Sequence, residues 1–225
     1  MSPPESRRPQ TPPQRRRVDE ATARALFLSA ATTLVKQQGV SAVTVADVLD
    51  ATQLGTRIFY RNFASKDDLV RAVFAEMARG EARRLRELTQ RATDPLHGVA
   101  LWIRGRLDLA FDPAVRSELR TASREAQARL STDPLVITGA FAEMLGPLIE
   151  QLQIGVRAGQ FPEVPEAEVH QAAHLIHGTV WACTESEWTG AAYPGDAAVG
   201  RIIAYCLRGL GADPAATRRA VDAVI

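Results

Sequence analysis

Residues 44–69 carry two short helical patterns separated by a turn of about three or four residues, which is the spacing of a helix-turn-helix. The first pattern begins at Thr44, with Asp47 three residues later in the capping-box position. The second runs from Thr56 to Phe63 and combines apolar anchors with Thr, Arg, Tyr and Asn. A helix of that composition can lie in the major groove of DNA with its apolar side against its own domain.

The rest of the chain repeats apolar residues at helical spacing and has no convincing alternating stretch, so we predict an all-α fold. One helix is expected from Asp19 to Gln38, ended by Gly39, and another from Ser65 to about Thr89, linking two domains. Six more are expected at Pro95–Phe111, Pro113–Leu130, Pro134–Ala158, Pro165–Trp188, Gly195–Leu210 and Pro214–Ile225.

Composition and charge divide the chain into three parts. Residues 1–17 are rich in Pro and Arg and are expected to form a disordered basic arm, either inert or reaching DNA through Arg15, Arg16 and Arg17. Residues 18–70 form the predicted helix-turn-helix domain and residues 71–225 a larger helical domain. Residues 1–71 hold 11 Lys plus Arg against 7 Asp plus Glu, a net charge of +4, whereas the remainder is net −3. The positive potential that a phosphate backbone attracts therefore coincides with the helix-turn-helix.

Some protein classes are disfavoured by composition. No apolar run approaches the roughly 20 residues of a membrane span, and the N-terminus lacks the apolar core of a secretory signal. The two cysteines, Cys183 and Cys206, lie in apolar helical patterns, which favours reduced, buried thiols in a cytoplasmic protein. There is no glycine-rich phosphate loop or nucleophile elbow, so we expect neither an enzyme nor a cofactor.

Residues 19 to about 75 resemble the tetracycline-repressor (TetR) family of bacterial transcriptional regulators. The pattern runs from Phe27-Leu28 and Ala30-Ala31 through Gly39, Thr44, Val48 and Ala51, and ends with Phe59-Tyr60-Arg61-Asn62-Phe63, Ser65-Lys66 and Leu69. The resemblance implies a three-helix DNA-binding domain, a helical ligand-binding and dimerisation domain, and a homodimer on a near-palindromic operator.

This sequence departs from the family pattern at three positions. Gln53 stands where the family usually has Gly, which predicts a differently shaped turn because a left-handed non-glycine residue costs about 1 kcal/mol. Gly55 replaces the usual polar cap, at small cost. Ile58 replaces a common Thr whose hydroxyl meets a phosphate, so that contact is lost.

Five residues are predicted to contact DNA. Thr56 and Arg57 lie at the exposed start of the recognition helix, where Arg57 can donate two hydrogen bonds to a guanine. Tyr60 and Lys66 are interpreted as phosphate contacts that hold register. Thr44 is either a helix cap alone or a cap whose helix N-terminus also meets a phosphate.

The second domain is predicted to bind a small apolar or aromatic ligand, because its aromatic residues lie on helices that surround a cavity in this family. The candidate ligand-binding residues are Trp102, Phe111, Phe141, Leu145, His177, Trp181, Thr184, Glu185 and Trp188. The apolar faces of two late helices predict a dimer interface comprising Ala172, Ile176, Val180, Ile202, Ile203 and Leu207.

His170, His174 and His177 share one helix face and could hold a metal ion, although packing at the interface or pocket is the better interpretation and no metal is predicted. The sequence therefore predicts a cytoplasmic homodimeric repressor released from DNA by a small ligand. An effector-independent DNA-binding dimer and a metal-dependent enzyme are the alternatives.

Overall fold

The computed structural model describes the backbone of residues 18–111, 134–188 and 195–225, and the side chains of 18–110, 142–184 and 195–225. Within these residues every regular element is helical. The first four helices are α1 (Glu20–Gln38), α2 (Val45–Thr52), α3 (Thr56–Asn62) and α4 (Lys66–Thr89). The remaining ones are α5 (Pro95–Phe111), α6 (Pro134–Arg157), α7 (Val169–Trp188), α8 (Gly195–Gly209) and α9 (Pro214–Asp222). The predicted arm at 1–17 and the predicted helix at Pro113–Leu130 lie outside the described residues.

Local capping determines where the N-terminal helices begin and end. Asp19 caps α1 by accepting a hydrogen bond from the Thr22 N–H, and Gly39 ends that helix with φ at 82°. Thr44 forms the predicted capping box with Asp47 at the start of α2. These contacts confirm the sequence interpretation of α1 and α2 to within a residue.

The turn between α2 and α3 contains the one non-glycine residue with positive φ in the described part of the chain. Gln53 has φ 56° and ψ 24°, and its side-chain Nε2 donates to the Asp50 carbonyl at 2.7 Å. The expectation of a differently shaped turn is therefore wrong, since Gln53 itself adopts the left-handed conformation. The amide hydrogen bond offsets part of the cost of that conformation. Gly55 then caps α3 with no side-chain hydrogen bond.

An aromatic cluster fills the N-terminal core. Phe27, Phe59 and Phe63 are essentially inaccessible, and the Phe27 and Phe59 rings meet edge to face with centroids 5.4 Å apart. Val48 packs with them. The cluster fixes α3 against α1, because rotating α3 would expose Phe59 and Phe63 together.

The helix α4 contributes to both hydrophobic cores. Ser65 caps it through the Asp68 N–H, as the sequence predicts. Leu69 and Val73, near its start, are buried in the N-terminal core, whereas Leu85, three turns later, is buried in the second core. A displacement of one core relative to the other must therefore bend or tilt this helix.

The second core is built mainly from α5, α6, α7 and α8. Asp94 caps α5 by accepting from the His97 N–H at 3.0 Å, and Trp102 lies at the centre of the core with no exposed surface. The segment that precedes α7 begins with a 3₁₀ turn, Glu166–Glu168, where the sequence predicts one continuous helix from Pro165. Among the described residues, no helix combines the length and apolar content that a membrane crossing requires.

Both cysteines are free thiols. Cys206 is buried and Cys183 is half-buried. Burial, reinforced by the neighbouring Cys183, raises the pKa of the Cys206 thiol to about 12, so it remains protonated and unreactive.

Candidate nucleic-acid interface and ligand site

The recognition helix α3 presents a polar outer side and an apolar inner side. Phe59 is fully buried and Ile58 packs against the N-terminal core, whereas Thr56, Arg57 and Tyr60 are exposed. Thr56 and Tyr60 are four residues apart and so share a face. Among the described residues, neither the Arg57 guanidinium nor the Tyr60 hydroxyl has a hydrogen-bond or ion-pair partner. These donors are free to contact a ligand outside the chain.

Thr44 and Lys66 meet at the N-terminus of α2. Thr44 is exposed, and its backbone N–H and hydroxyl both donate to an Asp47 carboxylate oxygen, at 2.8 and 2.7 Å. These bonds, with a smaller contribution from the charge of Lys66, lower the pKa of Asp47. The Lys66 Nζ also donates to the Ser41 carbonyl at 3.4 Å. An ammonium beside a helix N-terminus can bind a phosphate.

Two other arginines near α3 have structural partners. Arg61 pairs with Glu20 of α1 at 3.2 Å on the exposed surface. Arg24 donates to the Asn62 carbonyl at 2.8 Å and lies over the Phe63 ring at 4.5 Å. Both hold α3 against α1, which distinguishes them from Arg57. The basic arm residues Arg15, Arg16 and Arg17 lie outside the described residues.

The structure brings together several of the predicted ligand-binding residues. Trp102 and Leu145 are both fully buried in the second core, and the Trp102 indole N–H donates to the adjacent Met144 carbonyl at 3.3 Å. The His177 ring lies 6.3 Å from Trp102 and 6.5 Å from Trp181, between centroids. These rings form an aromatic cluster between α5 and α7.

The remaining predicted ligand residues contribute differently. Thr184 is buried, but its hydroxyl donates to the Val180 carbonyl at 2.9 Å and is thus used inside α7. The side chains of Phe111, Phe141, Glu185 and Trp188 lie outside those that the structure describes.

The three histidines of α7 do not converge on one point. His170 and His174 are exposed, and the His174 Nδ1 contacts the His170 carbonyl at 2.7 Å. His177 lies inward, where burial, with smaller effects of Arg106 and His174, lowers its pKa to about 4. Within the described ranges, no group of three His, Cys, Asp or Glu residues is arranged to hold a metal ion.

A charged cluster that the sequence analysis overlooked joins α4 to α5. Glu81 accepts from Arg84 at both oxygens, at 2.8 and 2.9 Å, and from the Arg106 Nη1 at 2.8 Å. Arg84 also donates to the Gly105 carbonyl at 2.8 Å. A signal was available, because Arg106 falls on the helical stripe of Val99, Trp102, Ile103, Leu107 and Ala110. A charge on such a stripe must be paired or functional.

The residues predicted for the dimer interface face the interior of the chain. Ala172, Ile176, Val180, Ile203 and Leu207 are buried in the second core, and Ile202 packs against it. The predicted residues therefore lie on the inward faces of these helices. Apolar spacing does not distinguish packing within a chain from packing against a partner.

The outer faces of α7 and α8 carry their own apolar surface. Leu175 is 66% exposed and Tyr205 is 71% exposed. Both line a surface groove of about 270 Å³ that also includes Gln171 and Thr179. Large exposed apolar side chains on neighbouring helices are typical of an interaction surface.

Comparison with known proteins identifies relatives of the helix-turn-helix segment and of the whole fold. The sequence profile of the bacterial regulatory proteins of the tetR family matches residues 27–73, which include α2, α3 and the start of α4. No curated protein has a significant sequence match to this chain.

The fold resembles solved structures of regulators over most of its length. RolR in complex with resorcinol has 20% identity and a TM-score of 0.66, over 90% of this chain and 94% of that chain. The fatty acid degradation regulator FadR from Bacillus halodurans has 20% identity and a TM-score of 0.60, over 85% and 97%. A gamma-butyrolactone receptor described as ArpA-like has 20% identity and a TM-score of 0.54, over 92% and 96%. Residues 27–73 are therefore similar to the DNA-binding helix-turn-helix segment of the tetR family of bacterial regulatory proteins, and the fold of the chain is that of these solved regulators.

Proposed function

We propose that this transcriptional regulator is a repressor that binds a near-palindromic operator in double-stranded DNA as a homodimer and releases it when a small ligand binds. The outer side of α3 carries the proposal: it presents Thr56, Arg57 and Tyr60 to solvent while Phe59 anchors the helix. In this proposal Arg57 reads a guanine edge through two hydrogen bonds, since its guanidinium has no partner among the described residues.

Phosphate contacts would hold the helix in register. Lys66 lies beside the N-terminus of α2 at Thr44, where its positive charge adds to that of the helix dipole. Tyr60, 57% exposed, would add a hydroxyl contact from α3. Ile58 packs inward and supplies no hydroxyl, so these three residues take the phosphate-binding role.

Dimerisation would use the outer faces of α7 and α8 instead of the predicted inner ones. Leu175 and Tyr205 are exposed on a shared groove, and a second copy of the chain would cover both. A symmetric pair would present two recognition helices to half-sites about one helical turn apart.

Ligand binding is proposed for the second core. The aromatic cluster of Trp102, His177 and Trp181 suits a small aromatic compound. Of the similar structures, one contains resorcinol and another is a gamma-butyrolactone receptor, and these two support the proposal of a small effector for this chain. Because α4 belongs to both cores, a ligand that shifts α4 would change the separation of the recognition helices.

The alternatives have less support. A DNA-binding dimer without an effector fits the same α3 surface but assigns no role to the buried charged and aromatic groups of the second core. A metal-dependent enzyme would need the α7 histidines to converge, whereas His170 and His174 are exposed and His177 lies inward. The proposed function requires no cofactor and places the protein in the cytoplasm, where the DNA is.

The test is to select a binding sequence from random DNA and measure affinity by fluorescence anisotropy at several salt concentrations. We expect Arg57→Ala to weaken binding by about 1–3 kcal/mol and to relax preference at one base position per half-site. Lys66→Ala should weaken all sequences alike and reduce the salt slope by about one. Arg61→Ala is the matched control, because Arg61 pairs with Glu20 and should leave base preference unchanged. Wild-type preference in Arg57→Ala would refute the assignment.

A further inference from the structure

Glu81 and Arg106 are charged residues that lie on the apolar faces of α4 and α5, next to the second core. Their side chains are only 11% and 15% exposed. Burial raises the pKa of Glu81, but the hydrogen bond from Arg84 and the charge of Arg106 outweigh it, so that the pKa lies below its ordinary value. Glu81 is therefore ionised and shared by two guanidinium groups. The cluster carries one more positive than negative charge.

Arg106 has an unused hydrogen-bond donor in this cluster. Its Nη1 donates to Glu81, but its Nε is buried and has no acceptor among the described residues. A buried N–H group without an acceptor loses the free energy of the hydrogen bond that it made to water in the unfolded chain. This loss is larger when the N–H group belongs to a cation. A guanidinium that is bound to its partner through one nitrogen retains an N–H edge for a second anionic oxygen.

The neighbouring groups indicate what would bring that oxygen. Trp102 lies one turn before Arg106 on α5, and Arg106 is close enough to His177 for its charge to depress the histidine pKa. His177 in turn contacts Trp102 and Trp181 through its ring. A positive donor thus borders neutral aromatic surface. That combination fits a compound with an aromatic body and one anionic oxygen group.

We propose that Arg106 binds an anionic oxygen group of the effector, a carboxylate or an ionised phenol, and thereby weakens the Glu81–Arg106 pair between α4 and α5. This inference rests on the proposed function, since it requires a small-molecule effector. The expected effector is then an aromatic acid and not the small apolar ligand that the sequence predicts. The Glu81 carboxylate and the anionic oxygen of the ligand compete for the Arg106 guanidinium. Ligand binding therefore weakens the ion pair that links α4 to α5.

The consequence for DNA follows from the position of Glu81. Three turns before it, α4 is anchored in the N-terminal core by Leu69 and Val70. When Arg106 turns to the ligand, Glu81 keeps only Arg84 of its own helix, so the ion pair between α4 and α5 is lost and the Arg84 hydrogen bond to the Gly105 carbonyl remains. The α4–α5 contact loosens, and the recognition helix moves with α4.

The experiment uses the full-length protein and paired probes: benzoate with benzamide, phenylacetate with phenylacetamide, and 4-nitrophenolate with nitrobenzene. Tryptophan quenching measures binding, after correction for absorbance by the nitro compounds, and anisotropy with the selected DNA measures release. We expect at least one acid to bind wild type about tenfold or more tightly than its neutral counterpart. Arg106→Gln should abolish that preference. Arg104→Gln is the matched control, because Arg104 is on the same helix but pairs with Asp108 and Asp196.

Glu81→Gln provides a second, independent measurement. Removing its charge leaves Arg106 unneutralised, so acids should bind more tightly while their effect on DNA affinity shrinks. The proposal is overturned if every neutral probe binds as well as its acid, if no acid binds wild type, or if Arg106→Gln keeps the preference. Neutral compounds that release DNA would sustain the proposed function while refuting the role of Arg106. If no compound, acidic or neutral, alters DNA affinity, the ligand-released repressor itself is refuted.

Discussion

Protonation of His177 should control the acid stability of the second core. The imidazole lies between Trp102 and Trp181, and burial, with Arg106 and His174 adding smaller effects, lowers its pKa to about 4 from an ordinary 6.5. The groups facing it thus include the Arg106 guanidinium from α5 and His174 from its own helix. In the folded chain His177 remains neutral until the pH falls to about 4.

The sign and magnitude follow from proton linkage. Below about pH 6.5 the unfolded chain takes up a proton on this histidine, whereas the folded chain excludes it. The free energy of unfolding therefore falls as pH decreases from about 6.5 to about 4, and His177 makes no further contribution below that. At about 1.4 kcal/mol per pKa unit, the full loss is about 3 kcal/mol, most of it complete by pH 4.5.

The assay is urea unfolding followed by tryptophan fluorescence between pH 7.5 and 4.5, at one protein concentration. All three tryptophans lie at or beyond position 102, so the signal reports the second core. His177→Gln should lose about 2.5 kcal/mol less than wild type over this range. His174→Gln, an exposed change on the same helix, should follow wild type. Parallel curves for wild type and His177→Gln would show that the folded core tolerates a charged imidazole and would refute the reasoning.

Two further predictions concern the dimer and the turn. Leu175→Glu should convert the protein to a monomer in light scattering at micromolar concentration and abolish operator binding. Ile154→Glu is the control, because Ile154 is an exposed apolar residue of α6, and this variant should remain dimeric. If Leu175→Glu is still a dimer, the interface lies elsewhere. Gln53→Gly should stabilise the turn before α3 by up to about 1 kcal/mol, seen as slower hydrogen exchange in α2 and α3, because glycine adopts a φ of 56° without steric cost. Faster exchange would mean that the Gln53–Asp50 hydrogen bond and the lower entropy of the unfolded glutamine chain matter more.

Local chemistry determined most of the helix-turn-helix from the sequence alone. Thr44 with Asp47, Ser65 with Asp68 and Gly39 each satisfy or terminate a helix end within four residues, so tertiary contacts were not needed to place them. The helical spacing of the apolar anchors in Thr56–Phe63 likewise separates a buried side of α3, at Phe59, from an outward side.

The turn at Gln53 shows where local propensity was overruled. Glycine is preferred in a left-handed turn by about 1 kcal/mol, so the sequence predicted a different shape. The packing of Phe59 and Phe63 against α1 fixes the angle of α3, and a rearranged turn would expose both rings. Burial of two phenylalanines is worth several times the strain of one residue, so the turn keeps its conformation.

The tertiary structure alone decided which faces of the late helices are internal and which charges meet. Ile203 and Leu207 follow the same helical pattern whether they pack within the chain or against a partner, and only the packing of α8 against α5 shows that they are internal. Glu81 and Arg106 are 25 positions apart, and no local rule joins them. They pair because the apolar stripes of α4 and α5, each carrying one charge, pack against each other in the fold. An unpaired buried charge is unfavourable, so the two side chains form an ion pair.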